Sequence, residues 1–358
     1  MNDTVYLDAD RLLRLLVALF EAHGCASAEA GDIAAHLVDA DLYGHPSHGV
    51  GLVPSYIANI RAGEVVPNRS PERVPVDGGF QLYDGRKGFG QSVGRRLVAE
   101  VVASAADSGV AVFGLRRVHH LGRIGDYGER FANAGFASVM FVNTVSRPIV
   151  APFGGREARM GTNPVCITLP RPGNAPIVLD FATSAIAVGK CRVALEKGLQ
   201  IPAGTALDST GEPTTDPRAL YASPQGALMT MGGYKGSGMN LICELLSACI
   251  GGLTMADARP GSGSAMNNLL GMCFRASVVP SAVEDIESVV GYFLATAPAS
   301  DTGPVRLPGA PEREACALSR LNGLPLAPAT WKSIADLART AHIQECDILS
   351  APVHGSET

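Results

Sequence analysis

Short apolar runs separated by glycine, proline and threonine constrain the fold of this 358-residue chain most strongly. Buried strands are predicted, from run length and flanking turn residues, at 80–83, 110–115, 137–143, 165–169, 177–181 and 269–276. Helices are predicted, from longer amphipathic spacing, at 92–106, 124–134, 237–250 and 282–296. Because helices and strands alternate along the chain, the sequence predicts an α/β protein.

The two ends of the chain differ from its middle. Residues 8–62 carry the spacing of three amphipathic helices, with Asp8 or Asp10 as a cap for the first and Ser27 for the second. A proline-marked connection follows at 67–75, and the C-terminal tail again reads as helical. We therefore predict an N-terminal helical segment at 1–75 that packs with a tail at 310–358, and an α/β domain at 76–309.

Composition excludes several classes of protein. The formal net charge is -5 with no basic block, which argues against a nucleic acid partner. Eight cysteines are present, but no pair has the C-x-x-C spacing of a zinc knuckle or redox dithiol. No apolar stretch reaches the roughly 18 residues of a membrane span, and the N-terminus lacks the basic start of a signal peptide. We expect a soluble cytoplasmic protein with reduced thiols and no membrane contact.

One glycine-rich turn invites a nucleotide-binding interpretation and does not support it. Gly88, Gly90 and Gly94 follow a strand and open a helix. The dinucleotide fingerprint is G-x-G-x-x-G, however, and here the third glycine comes one residue late. Arg116 and Arg117 stand where a ribose-binding acid is expected. The pattern therefore favours a structural turn over a Rossmann phosphate loop.

Two histidine clusters lie in separate glycine-framed segments. His45 and His48 belong to the first, and His119 and His120 follow the strand at 110–115 in the second. Any single histidine is most simply explained as a structural residue, but two such clusters favour a site. An imidazole with a pKa near roughly 6.5 can exchange a proton with a reacting oxygen at neutral pH. Asp180 ends an apolar strand, where it either pairs with an imidazole or amide or caps a helix starting near residue 182.

Nine stretches together resemble the type-2 malate/L-lactate dehydrogenase family. They run in the family's order over nearly the whole chain, and the joint match is specific although no single piece is. The stretches are GHPSHGVGL (44–52), DGRKGFGQS (84–92), HHLGRIGD (119–126), APFGGR (151–156), GTNPV (161–165), LDFATSA (179–185), GEPTTDPR (211–218), GYKGS (233–237) and LPGA (307–310).

The resemblance implies a non-Rossmann, NAD(P)-dependent oxidoreductase with a mixed or antiparallel central sheet. It also implies a homodimer, NAD or NADP as cofactor, and a small 2-oxo or 2-hydroxy acid as substrate. The catalytic residues it implies are Ser47, His48, His120 and Asp180, with either histidine as the proton donor. The cofactor-binding residues it implies are His120, Gly122, Arg123, Ile124, Thr162, Asn163, Leu179, Asp180, Phe181, Ala182, Lys235, Leu307, Pro308 and Gly309.

Two departures from the family pattern bear on the substrate. Many members have arginine at the position of Leu52, where it binds the substrate carboxylate, and a small residue at the position of Arg123. We expect Arg123 to take over the carboxylate, because a guanidinium can bind it with two parallel hydrogen bonds, and Leu52 to leave room for an apolar tail. Asp180 would fix a histidine tautomer or bond the cofactor amide. Arg116, Arg117 or Arg259 is each a candidate to meet a 2′-phosphate.

Two alternatives remain open at this point. Some relatives reduce a C=N bond beside a carboxylate, so a cyclic imine acid is an alternative substrate in the same class. A metallohydrolase with His45, His48, His119, His120 and Asp180 as zinc ligands is an alternative from another class. Adjacent histidines usually point apart, however, and no H-E-x-x-H spacing occurs. The sequence therefore favours the dehydrogenase and predicts no metal site.

Overall fold

The computed structural model of the protein describes residues 4–196, 198–258, 264–299 and 303–343. Its strands are β1 (Val5–Leu7), β2 (Glu72–Val74), β3 (Phe80–Asp84), β4 (Val110–His119), β5 (Phe136–Val145), β6 (Val165–Leu169), β7 (Ile177–Phe181), β8 (Ala206–Leu207), β9 (Pro213–Thr214), β10 (Ala227–Leu228), β11 (Met266–Arg275) and β12 (Leu324–Leu326). Its α-helices are α1 (Ala9–Ala22), α2 (Ser27–Leu42), α3 (Val53–Arg61), α4 (Gly90–Ser108), α5 (Gly125–Asn133), α6 (Val188–Glu196), α7 (Tyr234–Cys249), α8 (Ala282–Leu294), α9 (Ala310–Asn322) and α10 (Pro328–Thr340).

A seven-stranded mixed sheet forms the centre of the molecule. Its strand order is β2-β3-β4-β11-β5-β6-β7, and every neighbouring pair is antiparallel except β3 and β4. That parallel pair is joined through α4, which ends at Gly109 in the left-handed conformation (φ 73°). A glycine accepts this conformation without steric cost, so the chain turns directly into β4. The α/β class and the mixed sheet are confirmed.

Helices α4 and α5 cover the central sheet. Leu97 and Val101 of α4 and Phe131 of α5 pack with Phe113 and Met140 of the sheet in one buried cluster. Fully burying side chains of this size contributes roughly 1.5–3 kcal/mol each. The sheet is therefore a rigid base, and the loops at the ends of its strands carry the polar residues described below.

A second core joins the two ends of the chain. Leu16 of α1, Leu37 of α2 and Ile57 of α3 are buried with Ile334 of α10, and β1 pairs with β12. Phe89, which precedes α4, belongs to the same cluster. This core therefore crosses the boundary that the sequence places at residue 75. The division at residues 75 and 310 stays a prediction.

Several local predictions hold and others fail. The Asp8 carboxylate accepts a hydrogen bond from Arg11 N–H and caps α1. Ser27 is not the cap of α2, because Ala26 occupies that position without a side-chain bond. No helix starts near residue 182, so the capping interpretation of Asp180 is wrong. The apolar runs of residues 145–240 predict strands and loops; the small sheet β10-β8-β9 lies there, but helix α6 in the same region was not predicted.

In the described ranges, no helix combines the length and the apolar character that crossing a membrane requires.

Candidate active site

The loop that carries His48 is fixed by a buried carboxylate. Asp41, in the last turn of α2, accepts a hydrogen bond from Val50 N–H at 2.6 Å. Gly49 lies against the same carboxylate, and a Cβ at this position would overlap it. Burial raises the pKa of Asp41 to about 7, against the opposing effect of the Val50 N–H. The loop therefore presents Ser47 and His48 in one defined position.

The segment that carries His120 is held in place by the glycine-rich turn at 88–94, which does not match a Rossmann phosphate loop. Gly90 packs on the backbone of His119 and His120 so closely that a Cβ would overlap their carbonyl oxygens. Gln91 Nε2 donates to the His120 carbonyl oxygen at 3.1 Å, and Leu121 N–H donates to Asn267 Oδ1 at 2.7 Å. This turn therefore positions a histidine.

The protonation of His120 follows from its partners. Gln91 Nε2 also donates to Tyr56 Oη at 2.9 Å, and Tyr56 Oη lies 2.7 Å from His120 Nδ1. The carbonyl oxygen of His120 accepts only, so it fixes the amide orientation of Gln91. Tyr56 Oη then accepts from Gln91, and its own hydrogen is directed to His120 Nδ1. This arrangement favours the tautomer of neutral His120 that carries its hydrogen on Nε2.

His48 and His120 stack on each other. Their ring centroids are 5.4 Å apart with an interplanar angle of 23°. Burial, with a smaller contribution from neighbouring histidines, lowers the pKa of His120 to about 3 and that of His48 well below its usual value. Two imidazolium rings at this distance would repel each other, so at most one of the two histidines is positively charged at a time. His48 Nδ1 has no hydrogen-bond partner within the described part of the chain.

Two cavities meet at this histidine pair. The first has a volume of about 680 Å³ and the second about 400 Å³, and both lie in the size range of small-molecule sites. They share a wall that includes Ser47, His48, His120, Thr162 and Ala182. The two imidazoles therefore stand where a molecule in one cavity would meet a molecule in the other.

Asp180 and Arg123 line the first cavity, but their charged groups already have partners. Asp180 Oδ2 accepts from Gly125 N–H at 2.7 Å, at the start of α5. Burial raises the pKa of Asp180 to about 6, against the effects of Gly125 and Arg123. Arg123 binds Glu129 through both terminal nitrogens and lies 4.5 Å above the Tyr43 ring. Its charge is thus matched within the protein.

The remaining predicted residues divide into two groups. Those that line the first cavity are Gly122, Ile124, Thr162, Phe181 and Ala182, while Leu52 lines the second. Those outside both linings are Asn163, Leu179, Lys235, Leu307, Pro308 and Gly309. Asn163 is buried and bonds Asn240 and Glu244, and Lys235 is exposed on α7. Roles in cofactor binding for this second group stay predictions.

Four residues that were not predicted reach the site through tertiary structure. Tyr56 and Gln91 contact His120, while Lys190 and Arg192 on α6 line the first and second cavity respectively. Tyr56 lies in α3, eight residues after His48, and its apolar neighbours in the sequence indicate only core packing. No local pattern marks Arg192, because the helix that carries it was not predicted.

His119 has a structural role. It is fully buried, and its Nε2 accepts from Asn59 Nδ2 at 3.0 Å. Burial lowers its pKa to about 3. The unfolded chain takes up a proton near roughly pH 6.5, so the stabilisation from neutral His119 is present above that pH and is lost as the pH falls towards 3.

We expect His119→Gln to weaken the pH dependence of stability. Glutamine keeps an acceptor for Asn59 and removes the titrating group. Between about pH 6 and about pH 5, the wild type should lose about 1 kcal/mol more of its free energy of unfolding than the variant. Urea unfolding at both pH values measures this difference. Equal losses would show that folded His119 takes up the proton.

Comparison with known proteins defines the class. The family model for malate/L-lactate dehydrogenase matches residues 7–335. Hydroxycarboxylate dehydrogenase B of Escherichia coli is 36% identical over 94% of this chain and 95% of its own length. L-lactate dehydrogenase of Cupriavidus necator is 38% identical over 88% of this chain and 91% of its own length. The solved structure of a candidate malate/lactate dehydrogenase of Escherichia coli superimposes with a TM-score of 0.92 at 35% identity, covering 97% and 99% of the chains.

The fold and these relatives define an oxidoreductase of the hydroxycarboxylate dehydrogenase class. The chain belongs to the malate/L-lactate dehydrogenase family, as its motifs indicated. That membership decides against the metallohydrolase alternative. Among the described residues, no three His, Cys, Asp or Glu side chains come together in the geometry of a metal site.

Proposed function

We propose that the protein catalyses reversible hydride transfer between NAD(P) and a 2-oxo/2-hydroxy carboxylic acid, with the His48–His120 pair exchanging the proton. The observation that carries this proposal is the position of the stacked imidazoles in the wall shared by the two cavities. The family membership supports a 2-hydroxy acid as substrate. We assign the larger cavity to the cofactor and the smaller one to the substrate.

The residues of the first cavity fit a dinucleotide. Its wall includes Gly189 and Lys190 at the start of α6, where a helix N-terminus and a cation favour a pyrophosphate. Thr144 and Thr205 add hydroxyls for ribose or phosphate oxygens, and Ile124 offers an apolar surface for a ring. When bound, a nicotinamide would accept or supply the hydride at the end of this cavity next to the histidines.

His120 is proposed as the proton donor and acceptor. Its Nε2–H would bind the substrate carbonyl oxygen, and negative charge on the bound substrate raises the imidazole pKa, which favours protonation. After Nε2 gives its proton to the oxygen, the remaining hydrogen lies on Nδ1 and Tyr56 Oη accepts it. A hydroxyl can donate to or accept from Nδ1, so Tyr56 supports both states of the ring. Oxidation of the alcohol runs through the same states in reverse.

His48 is proposed to bind the reactants and to tune the pair. A charge on His48 would oppose a charge on the stacked ring of His120. The Nδ1 of His48, which has no hydrogen-bond partner among the described residues, would bind a polar group of a ligand. Ser47 precedes it in the same wall and would add a hydroxyl. Asp180, fixed on Gly125, is proposed to bind the cofactor amide, because the hydrogen bond at His120 Nδ1 comes from Tyr56.

A panel of substrates tests the proposal. Purified protein is mixed with NADH or NADPH and each of several 2-oxo acids, and oxidation of the nicotinamide is followed by absorbance. Cyclic imine carboxylates form a second arm, which separates reduction of C=O from reduction of C=N. We expect turnover of at least one 2-oxo acid. Turnover of imines alone would replace the substrate class, and no turnover in any arm would overturn the proposal.

The same panel shows whether NADH or NADPH is the preferred cofactor. Arg116 and Arg117 both bind Asp84, and neither lines the first cavity. Arg259 lies outside the described residues. Among the described cations of that cavity, Arg123 is matched by Glu129, which leaves Lys190 as the candidate to meet a phosphate.

A cytoplasmic location is part of the proposal. The seven cysteines in the described ranges form no disulfide, which supports a reducing compartment.

We further propose a homodimer, built on exposed apolar side chains. Leu241 and Leu245 of α7 are each 50% exposed, and Val289 and Tyr292 of α8 are 66% and 87% exposed. Such patches mark protein interfaces. Light scattering should give about twice the 37.1 kDa chain mass, and Leu241→Glu with Leu245→Glu should lower it towards one chain. Lys332→Glu on α10 is the control; a monomeric wild type would overturn the proposal.

A further inference from the structure

The second cavity has an uneven distribution of charge. Its described lining contains no Asp, Glu or Lys, and burial lowers the pKa of His48, His119 and His120, which leaves them neutral. Arg192 is the one side chain among these lining residues that is cationic at neutral pH. Arg192 is therefore the cationic group that this described lining offers to an anionic substrate, in addition to its contacts within the protein.

Arg192 reaches the cavity from the helix opposite the histidine loop. It lies in α6, and its Nη2 is 3.5 Å from the position that a Cβ on Gly51 would occupy. Its guanidinium therefore lies beside the turn that carries Leu52. The wall near residue 52 thus combines an apolar side chain with a guanidinium supplied from a different element.

Arg123 does not supply that charge. It lines the first cavity, and Glu129 binds both of its terminal nitrogens. Its guanidinium therefore lies among residues of the other cavity, and Arg123 is absent from the described lining of the second one. The expectation that Arg123 binds the substrate carboxylate stays a prediction, and the lining of the second cavity supports a different candidate.

We infer that Arg192 binds the substrate carboxylate and selects 2-oxo monocarboxylates with an apolar tail. This inference rests on the proposed function, because it assigns the second cavity to the substrate. A guanidinium presents five N–H donors in a planar fork and can hold a carboxylate with two of them. Leu52, Ala187 and Val188 form the apolar part of the wall, and no second cation in the described lining is available for a dicarboxylate.

The test compares Arg192→Gln and Arg192→Lys with the wild type. For a 2-oxo monocarboxylate, Arg192→Gln should lower kcat/KM by about 10- to 100-fold, with KM for the reduced nicotinamide unchanged. Arg192→Lys should recover part of the loss, because it keeps the charge without the fork. With the methyl ester of the same 2-oxo acid, wild type and Arg192→Gln should differ by less than about 3-fold, since the ester carries no charge.

Controls separate this inference from the proposed function. Arg218→Gln removes an exposed arginine that binds Asp216 and should leave kcat/KM unchanged. If the wild type prefers a 2-oxo dicarboxylate over the monocarboxylate, the inferred selectivity is wrong. If Arg192→Gln keeps the full kcat/KM, the role of Arg192 is wrong. The proposed function would survive both results. A wild type without turnover of any 2-oxo acid would overturn both.

Discussion

His120→Asn is expected to lower kcat for a 2-oxo acid by at least about 100-fold, the low end for loss of a general acid. Asparagine keeps a hydrogen-bond donor near the substrate oxygen but cannot give up a proton. Because binding contacts elsewhere are intact, KM for the reduced nicotinamide should change little. Steady-state kinetics in both reaction directions measures the loss, which should be similar in each, since the same group gives and takes the proton.

Three further variants test whether this loss of kcat is caused by the missing imidazole of His120. His23→Asn removes a histidine of the chain turn after α1 and should leave kcat unchanged. Tyr56→Phe removes the hydroxyl at His120 Nδ1 and should lower kcat by about 10-fold while displacing the pH profile, because the ring then lacks its partner in both states. Full kcat in His120→Asn, with a large loss in His48→Asn, would assign the proton to His48 instead.

Much of the fold could be predicted because its signals are local. β6 and β7 begin and end at the predicted residues, and α5 lies within one residue of its predicted ends. β6 and β7 are short apolar runs bounded by turn residues, and α5 has amphipathic spacing, so a local pattern indicates each of the three elements. α6 could not be predicted, because its sequence has no strong apolar periodicity and its position depends on packing around Cys191 and Leu220.

The site divides in the same way. His48 and His120 stand out because histidines framed by glycine are unusual in sequence. Tyr56 and Arg192 carry no local mark, and Gln91 lies in a family motif that assigns it no role; the roles of all three come from the residues that folding brings beside them. The stacking of the two histidines likewise depends on tertiary structure and could not be predicted from the sequence. Tertiary geometry, rather than residue type, therefore decides which polar groups act together.

Gly122→Ala is the second substitution with a large expected effect, this time on stability. Gly122 has φ 77°, and an added Cβ would overlap the buried ring of His36. That ring cannot move freely, because its Nε2 accepts from Arg123 N–H at 2.9 Å and its Nδ1 lies 3.6 Å from Asp126. The variant should lose about 1–2 kcal/mol from the left-handed backbone and about 1–3 kcal/mol more from the overlap.

Gly135→Ala isolates the two contributions. Gly135 has φ 83° and no atom within 4 Å of an added Cβ, so this variant pays only for the backbone conformation. Urea unfolding should therefore separate the two variants by about 1–3 kcal/mol. The same overlap displaces the 120–124 segment, so Gly122→Ala should also lower kcat, whereas Gly135→Ala should not. Equal losses of stability would mean that His36 can shift, and that the segment carrying His120 is held less tightly than its contacts indicate.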